Sequence, residues 1–225
     1  MVTAVIPVYN EEELIGRAVS ALRASPLISE IVVVDDGSGD RTAERAKELG
    51  VLVITLPRNT GKGNAMDVGV INSRNDIILF CDGDMYGFSK DGVESVLKPM
   101  LNGDLEMSIA IRPFIRFARI FFPFLIQTSG FRAVTKQSWK QVPKDLISGY
   151  QVELMLNFVA RRNNWRVGYV CVPGLKHTVK EIKYGLLAGL KARGVMIRDV
   201  SSLFVKVYVR ERKLKRSSIS GSVIE

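Results

Sequence analysis

The chain has one histidine and two cysteines among its 225 residues, and those scarcities remove several kinds of chemistry. There is no CxxC spacing and no Cys/His cluster, which argues against a zinc site. The two thiols, Cys81 and Cys171, each lie in an apolar strand-like run, where a free thiol packs as a small hydrophobe. A disulfide would be unusual in a cytosolic protein. No run reaches the roughly 18 uninterrupted apolar residues that a membrane span needs. The amino terminus enters a strand directly, without the basic n-region and cleavage site of a signal peptide, so a cytoplasmic, non-spanning chain is expected. Acidic residues are in deficit: 23 Asp and Glu stand against 32 Lys and Arg, a formal charge of +9. The partners are therefore expected to be anionic. Charge alone does not choose among nucleotides, phosphorylated acceptors, nucleic acid and acidic membrane surfaces. With 47% hydrophobic and 24% charged residues the composition is globular. The length suits one substantial α/β domain or two small ones.

What is present is a regular alternation. Val2 to Val8, Ile31 to Val34 and Val51 to Leu56 read as buried strands, and Asp76 opens a fourth that runs through Ile77-Ile78-Leu79-Phe80. Helices are expected between them: one after Asn10, a plausible N-cap followed by three glutamates, one ending near Leu49, and one from Lys62 to about Asn72. Four strand–helix alternations in the first 85 residues predict an α/β domain with a mostly parallel central sheet flanked by helices. Ligands bind such sheets at the carboxyl ends of the strands. Pro7 and Tyr9, Asp35 and Asp36, Lys62, and Asp82 and Asp84 all fall there. Beyond this, Ser89 to Leu101 and Gly149 to Arg162 read as helices and Leu105 to Ile111 and Arg166 to Val172 as strands. Thr128 to Val134 reads as a loop entering a strand, and Val179 to about Arg212 as mostly helical. One domain over residues 1–212 is expected. The basic, Ser-rich tail 213–225 is expected to be disordered.

Asp82-Gly83-Asp84 ends the fourth apolar run. On a strand, residues i and i+2 share a face, so the two carboxylates could converge on a hard cation such as Mg²⁺ or Mn²⁺, with Gly83 allowing a sharp turn or a close ligand. Asp-Gly is equally a plain turn signal. Two phosphate motifs are excluded. Gly61-Lys62 is followed by Gly63 rather than Ser or Thr, and Leu56 stands where a Walker A loop needs glycine. Gly37 and Gly39 lack the third glycine of a dinucleotide fingerprint, Thr42 standing in its place.

Four segments occur in order: Ile6-Pro7-Val8-Tyr9-Asn10-Glu11-Glu12, Val34-Asp35-Asp36-Gly37-Ser38-Gly39-Asp40-Arg41-Thr42, Asn59-Thr60-Gly61-Lys62-Gly63-Asn64-Ala65 and Asp82-Gly83-Asp84. Together they closely resemble the nucleotide-sugar-binding half of glycosyltransferase family 2 enzymes, over roughly the first 110 residues. The resemblance implies the GT-A fold, a single Rossmann-like domain with a nucleotide-sugar-binding half at 1–110 and an acceptor half at 111–212. It implies nucleotide-sugar contacts from Pro7, Tyr9, Asn10, Glu11, Asp35, Asp36, Gly61, Lys62, Asp82, Gly83 and Asp84. Of these, Pro7 to Tyr9 would line the base pocket, Asp36 would accept from the base, and Lys62 would sit near the diphosphate. Asp82 and Asp84 would be the DxD pair that holds Mg²⁺ or Mn²⁺. Asx turns for Asp35 and Asp36 and a solvated lysine are the structural alternatives.

Thr128-Ser129-Gly130-Phe131-Arg132-Ala133 is similar to a segment of dolichyl-phosphate mannose synthases and other polyprenyl-phosphate transferases. There the arginine lies where an acceptor phosphate approaches, so Arg132 is a candidate acceptor ligand; the alternative is a buried structural arginine. Tyr150-Gln151-Val152-Glu153 resembles a segment of the same enzymes and of glucosyl-3-phosphoglycerate synthases. It makes Glu153 a candidate base, with positioning or helix capping as alternatives. His177, after Val172-Pro173-Gly174, stands where several GT-A enzymes, the phosphoglycerate type included, supply a further metal ligand, with a plain loop histidine as the alternative. Met85-Tyr86-Gly87 departs from the polyprenyl-phosphate enzymes after the DxD pair, which could shift metal ligation toward His177.

The implied reaction moves a hexose from a GDP- or UDP-sugar to a lipid-linked phosphate at the cytoplasmic membrane face. A soluble phosphorylated acceptor, a glycan hydroxyl or a catalytically silent recruitment module are the other readings. Residues Arg112 to Ile126 interleave arginine with phenylalanine and lack acidic residues, which suits either a membrane-surface helix or a core helix. With the basic tail it makes an anionic membrane, and with it a membrane-protein partner, the expected surroundings. No nucleic-acid motif is found.

Overall fold

A computed structural model describes residues 1–113, 129–147 and 152–177 of the chain. They belong to one compact unit, Met1–Thr178. The segment 114–126, Thr128, Tyr150, Gln151, the helix expected from Val179 and the tail lie outside the described residues, and so does the expected boundary at 212.

Strands β1 (Val2–Val8), β2 (Ile28–Asp35), β3 (Leu52–Thr55) and β4 (Ile77–Phe80) alternate with helices α1 (Ile15–Arg23), α2 (Thr42–Glu48) and α3 (Lys62–Ile71). Helix α4 (Lys90–Leu101) follows, capped by Ser89, whose hydroxyl accepts from Gly92 N. Then come β6 (Met107–Ile111), β7 (Arg132–Thr135), the single turn α5 (Lys136–Trp139), α6 (Val152–Arg162) and β8 (Val167–Cys171). Two short strands, β5 (Met85–Tyr86) and β9 (Lys176–His177), pair with each other.

The seven-stranded sheet has the order β3-β2-β1-β4-β7-β6-β8. Its strands run parallel except β7, which is antiparallel to both β4 and β6. From β1 the chain steps outward through β2 to β3, then returns to place β4 on the other side of β1. That reversal opens a crevice between the carboxyl ends of β1 and β4, the place where sheets of this kind bind ligands. The apolar runs form the middle of the molecule: Val5, Ile6, Val33, Val34, Ile78 and Leu79 are fully buried. Among the described residues no helix is long and apolar enough to cross a membrane.

Pro7 sits within a central strand at no cost to the ladder. Val5 O accepts from Cys81 N, so the peptide groups of Val5 and, two residues on, Pro7 face β4. The β1–β4 pairing ends at Val5↔Phe80, and the N–H that Pro7 lacks has no ladder partner to lose.

Three local expectations are corrected. The helix after β1 begins at Ile15, not at Asn10; Asn10 has φ 55°, the left-handed region that asparagine tolerates. Strand β4 ends at Phe80, so Asp82 and Asp84 are not strand neighbours on one face; they flank a turn closed by Met85 N donating to Asp82 O at 3.1 Å. Cys171 is a free thiol but only half-buried, whereas Cys81 is fully buried and its pKa is pushed up by burial and by the Asp82 and Asp84 charges.

Candidate active site

The crevice is lined by turns that follow β1, β2, β3 and β4, and hydrogen bonds tie the first three together. Asn10 N donates to Ser38 Oγ (2.9 Å), Gly39 N donates to Asn10 Oδ1 (2.9 Å), and Glu11 N donates to Thr42 Oγ1 (2.7 Å). Asp35 shapes its own turn, its Oδ1 accepting from Ser38 N at 3.2 Å and from the Ser38 hydroxyl. Asp36 reaches across to the next turn. Its Oδ1 accepts from Thr60 N and Thr60 Oγ1, and its Oδ2 from Gly61 N, all at 2.8 Å. Both aspartates are buried, and the partners shown are loop groups of the protein itself. Tyr9 differs: it is exposed at the mouth of the crevice.

Gly61, with φ 96°, leads into α3 and sets Lys62 as its first residue. A Cβ on Gly63 would lie 1.5 Å from the carbonyl oxygen of Ile147, so this glycine lets the start of α3 pack against the turn before α6. That packing brings Lys62 to Glu153 in the first turn of α6. The Lys62 ammonium is ion-paired with Glu153 Oε1 and lies 2.7 Å from Asp82 Oδ1. The Glu153 side chain is 7% exposed and that of Lys62 20%. Burial by itself would lower the Lys62 pKa, but the charges and hydrogen bonds of Asp82 and Glu153 outweigh it, and the net shift is upward.

Two further glycines shape the acidic turn. A Cβ on Gly83 would approach Val8 Cγ1 at 2.6 Å, so the turn lies against the end of β1. A Cβ on Gly130 would stand 2.1 Å from Asp82 Oδ2 and 2.6 Å from Oδ1. The bare backbone at Gly130 is the wall against which the Asp82 carboxylate rests.

Arg132 does not present its guanidinium to solvent. It is fully buried opposite Phe80, with Nε donating to Ser129 O (2.9 Å) and Nη1 lying 3.3 Å from both Glu153 O and Asn157 Oδ1. Burial pulls its pKa down, with the Glu153 and Asp82 charges acting in the other direction. In this placement Arg132 ties the main chain at Ser129 to that at Glu153. The backbone of His177 pairs opposite Met85, one residue past Asp84, so it belongs to a strand and not to a loop. Its side chain lies outside the described residues. Among the described residues no three His, Cys, Asp or Glu side chains stand together as a ready-made metal cluster.

The structure thus brings Lys62, Asp82, Glu153 and, behind them, Arg132 into one cluster, with Asp84 on the same turn as Asp82. Sequence reasoning did not find Gly130, Gly63 or the Lys62–Glu153 pair, because each requirement comes from a partner distant in the chain.

Residues 3–153 match the family Glycosyl transferase family 2. The chain belongs to that family. An uncharacterized protein of Methanocaldococcus jannaschii is 31% identical over 188 residues, covering 72% of this chain and 76% of that protein. Dodecaprenyl-phosphate galacturonate synthase of Rhizobium johnstonii is 30% identical over 118 residues, 48% of this chain and only 35% of that enzyme. Among solved structures, glucosyl-3-phosphoglycerate synthase from Mycobacterium tuberculosis, in complex with Mn²⁺, uridine diphosphate and glucosyl-3-phosphoglycerate, has a TM-score of 0.75 at 23% identity, over 92% of this chain and 79% of that one. The same enzyme is also known with Mg²⁺ and uridine diphosphate. At that identity the likeness shows the fold, which is GT-A, as the four ordered segments imply.

Proposed function

We propose that the chain moves a hexose from a GDP- or UDP-sugar to the phosphate of a polyprenyl or dolichyl lipid at the cytoplasmic face of a membrane. The observation that carries this reading is the convergence of Lys62, Asp82 and Glu153 at the crevice between β1 and β4. A diphosphate needs cations, and a carboxylate pair needs one too. The crevice supplies both kinds of group side by side. The lipid phosphate is supported by the name of the Rhizobium relative.

The oxygen donors of Asp82 and Asp84 fit Mg²⁺ or Mn²⁺, which prefer hard carboxylate ligands shared with phosphates. Gly130 leaves Asp82 the space to serve, and His177 is the candidate third ligand. When bound there, the cation would neutralise the diphosphate and stabilise the charge growing on it as the sugar–phosphate bond breaks. Lys62 adds a mobile point charge for the same diphosphate, and the first turn of α3 adds backbone N–H groups. Tyr9, with Asn10 and Glu11, flanks the base from the end of β1. Asp35 and Asp36 hold the loops that form the pocket's rim.

A lipid phosphate is ionised near neutrality and attacks the sugar carbon without a strong base. Glu153 then acts by holding Lys62, while Arg132 holds Glu153; both are positioning residues. A hydroxyl acceptor would instead need Glu153 to take its proton. Direct displacement from the face opposite the leaving diphosphate would invert the sugar carbon, although the fold hosts both inverting and retaining enzymes. A thermal-shift screen of GDP- and UDP-hexoses tests the donor. The true donor raises Tm, and does so only with Mg²⁺ or Mn²⁺ present, through binding linkage. No shift with any nucleotide sugar under either cation would sink the reading.

A further inference from the structure

We infer that Lys62 is a placeholder cation: it occupies Asp82 and Glu153 until the metal and donor arrive, then transfers to the diphosphate. This rests on the metal-site reading above and goes beyond it, because it gives Lys62 an effect on the metal that is opposite in sign to its effect on the donor.

The geometry is specific. Lys62 Nζ lies 2.7 Å from Asp82 Oδ1 and is in contact with Glu153 Oε1, so one ammonium serves two carboxylates. Glu153 is 5% exposed; a carboxylate so far removed from water requires a countercharge. Asp82 has only a single methylene for reach, and its carboxylate lies against the Gly130 backbone. A divalent cation on Asp82 therefore meets a positive charge already seated on that side chain. Two cations do not share one carboxylate oxygen at hydrogen-bond distance in a half-buried crevice without strong repulsion. Lys62 is the group that can move, having a flexible four-carbon stem. The diphosphate offers it a replacement anion at the moment Asp82 is taken. Metal and donor consequently bind together better than either binds alone.

The test is Mn²⁺ binding to the full chain, followed by the electron paramagnetic resonance signal of free Mn²⁺, with and without uridine or guanosine diphosphate. Lys62→Met should bind Mn²⁺ without nucleotide about tenfold more tightly than wild type. In the presence of Mn²⁺ the same variant should bind the nucleoside diphosphate about tenfold more weakly. Because Lys62→Met removes the ion pair of the buried Glu153, the double variant Lys62→Met/Glu153→Gln is measured alongside it and should show the same tightening. Equal or weaker Mn²⁺ affinity in a folded variant overturns the placeholder role, whereas absence of Mn²⁺ binding in all three proteins overturns the metal-site reading on which it rests. That reading also fails if Mn²⁺ binds wild type and Asp84→Ala alike.

Discussion

At Gly130 the absence of a side chain gives the acidic turn its shape. The position has no need of a left-handed φ; what it needs is emptiness, since a methyl group would stand 2.1 Å from Asp82 Oδ2. Gly130→Ala therefore pushes Asp82 off its wall while leaving the strands around it intact. Displacement of a site group by about 1 Å costs on the order of a hundredfold in rate, and sugar transfer should fall by that much with a small change in Tm. Activity within twofold of wild type, measured by product formation, would show that Asp82 has freedom the geometry denies it. Lys62 is the other residue with a defined electrostatic state. Its pKa is raised on folding, so its pairing stabilises the fold fully below about pH 10 and is lost only as pH climbs through the folded value. Activity changes near neutrality thus arise elsewhere than at Lys62. Of these residues, Asp82, Asp84 and Lys62 were singled out in the sequence by the four ordered segments that resemble family 2 enzymes, since Asp-Gly-Asp alone reads equally as a turn. Gly130 was not, since its need is set by a carboxylate far away in the chain. Arg132 was legible both as a candidate ligand and as a buried structural arginine, and its burial is what the structure adds.

Among the elements, the four strands of the first half were legible because each is a bounded apolar run followed by turn residues. The reversed direction of β7 was not, as nothing in Arg132-Ala133-Val134-Thr135 encodes which way a neighbour runs. The β5–β9 ladder is two residues long on each side, too short to leave a pattern. The end of β4 was misplaced for a related reason: Cys81 is as buried as the strand before it, so the apolar run outlasts the pairing. Asp36 shows how the elements are joined. Its carboxylate accepts three hydrogen bonds from Thr60 and Gly61 and so latches the turn before α3 to the end of β2. Asp36→Ala should destabilise the fold by about 3 kcal/mol, since a buried charge-assisted cluster is lost and two backbone N–H groups are left without it. Urea unfolding measures this. A loss below about 0.5 kcal/mol would mean that the latch contributes little and that Asp36 is held for a ligand.

For the whole molecule, the formal charge of +9 agrees with a site for phosphates and with a seat on an anionic surface. Arg112 is exposed, and it opens the Arg- and Phe-rich segment through Ile126. If that segment lies on a membrane, the protein floats with anionic liposomes at low salt. Replacing Arg112, Arg116 and Arg119 by glutamine then lowers partitioning by about a hundredfold, at roughly 1 kcal/mol per cation. A wild-type protein that stays in the soluble fraction would contradict the membrane seat and favour a soluble phosphorylated acceptor. The central claim, that the turn Asp82–Asp84 with Lys62 handles a metal-bound sugar nucleotide, is tested most directly by following labelled hexose from the donor to polyprenyl phosphate. Wild type and Asp84→Ala are compared with Mn²⁺ and after its removal by chelator. The expected result is transfer by wild type only with Mn²⁺, and a loss of about a thousandfold in Asp84→Ala. Transfer that persists after chelation and is unchanged by Asp84→Ala would contradict it.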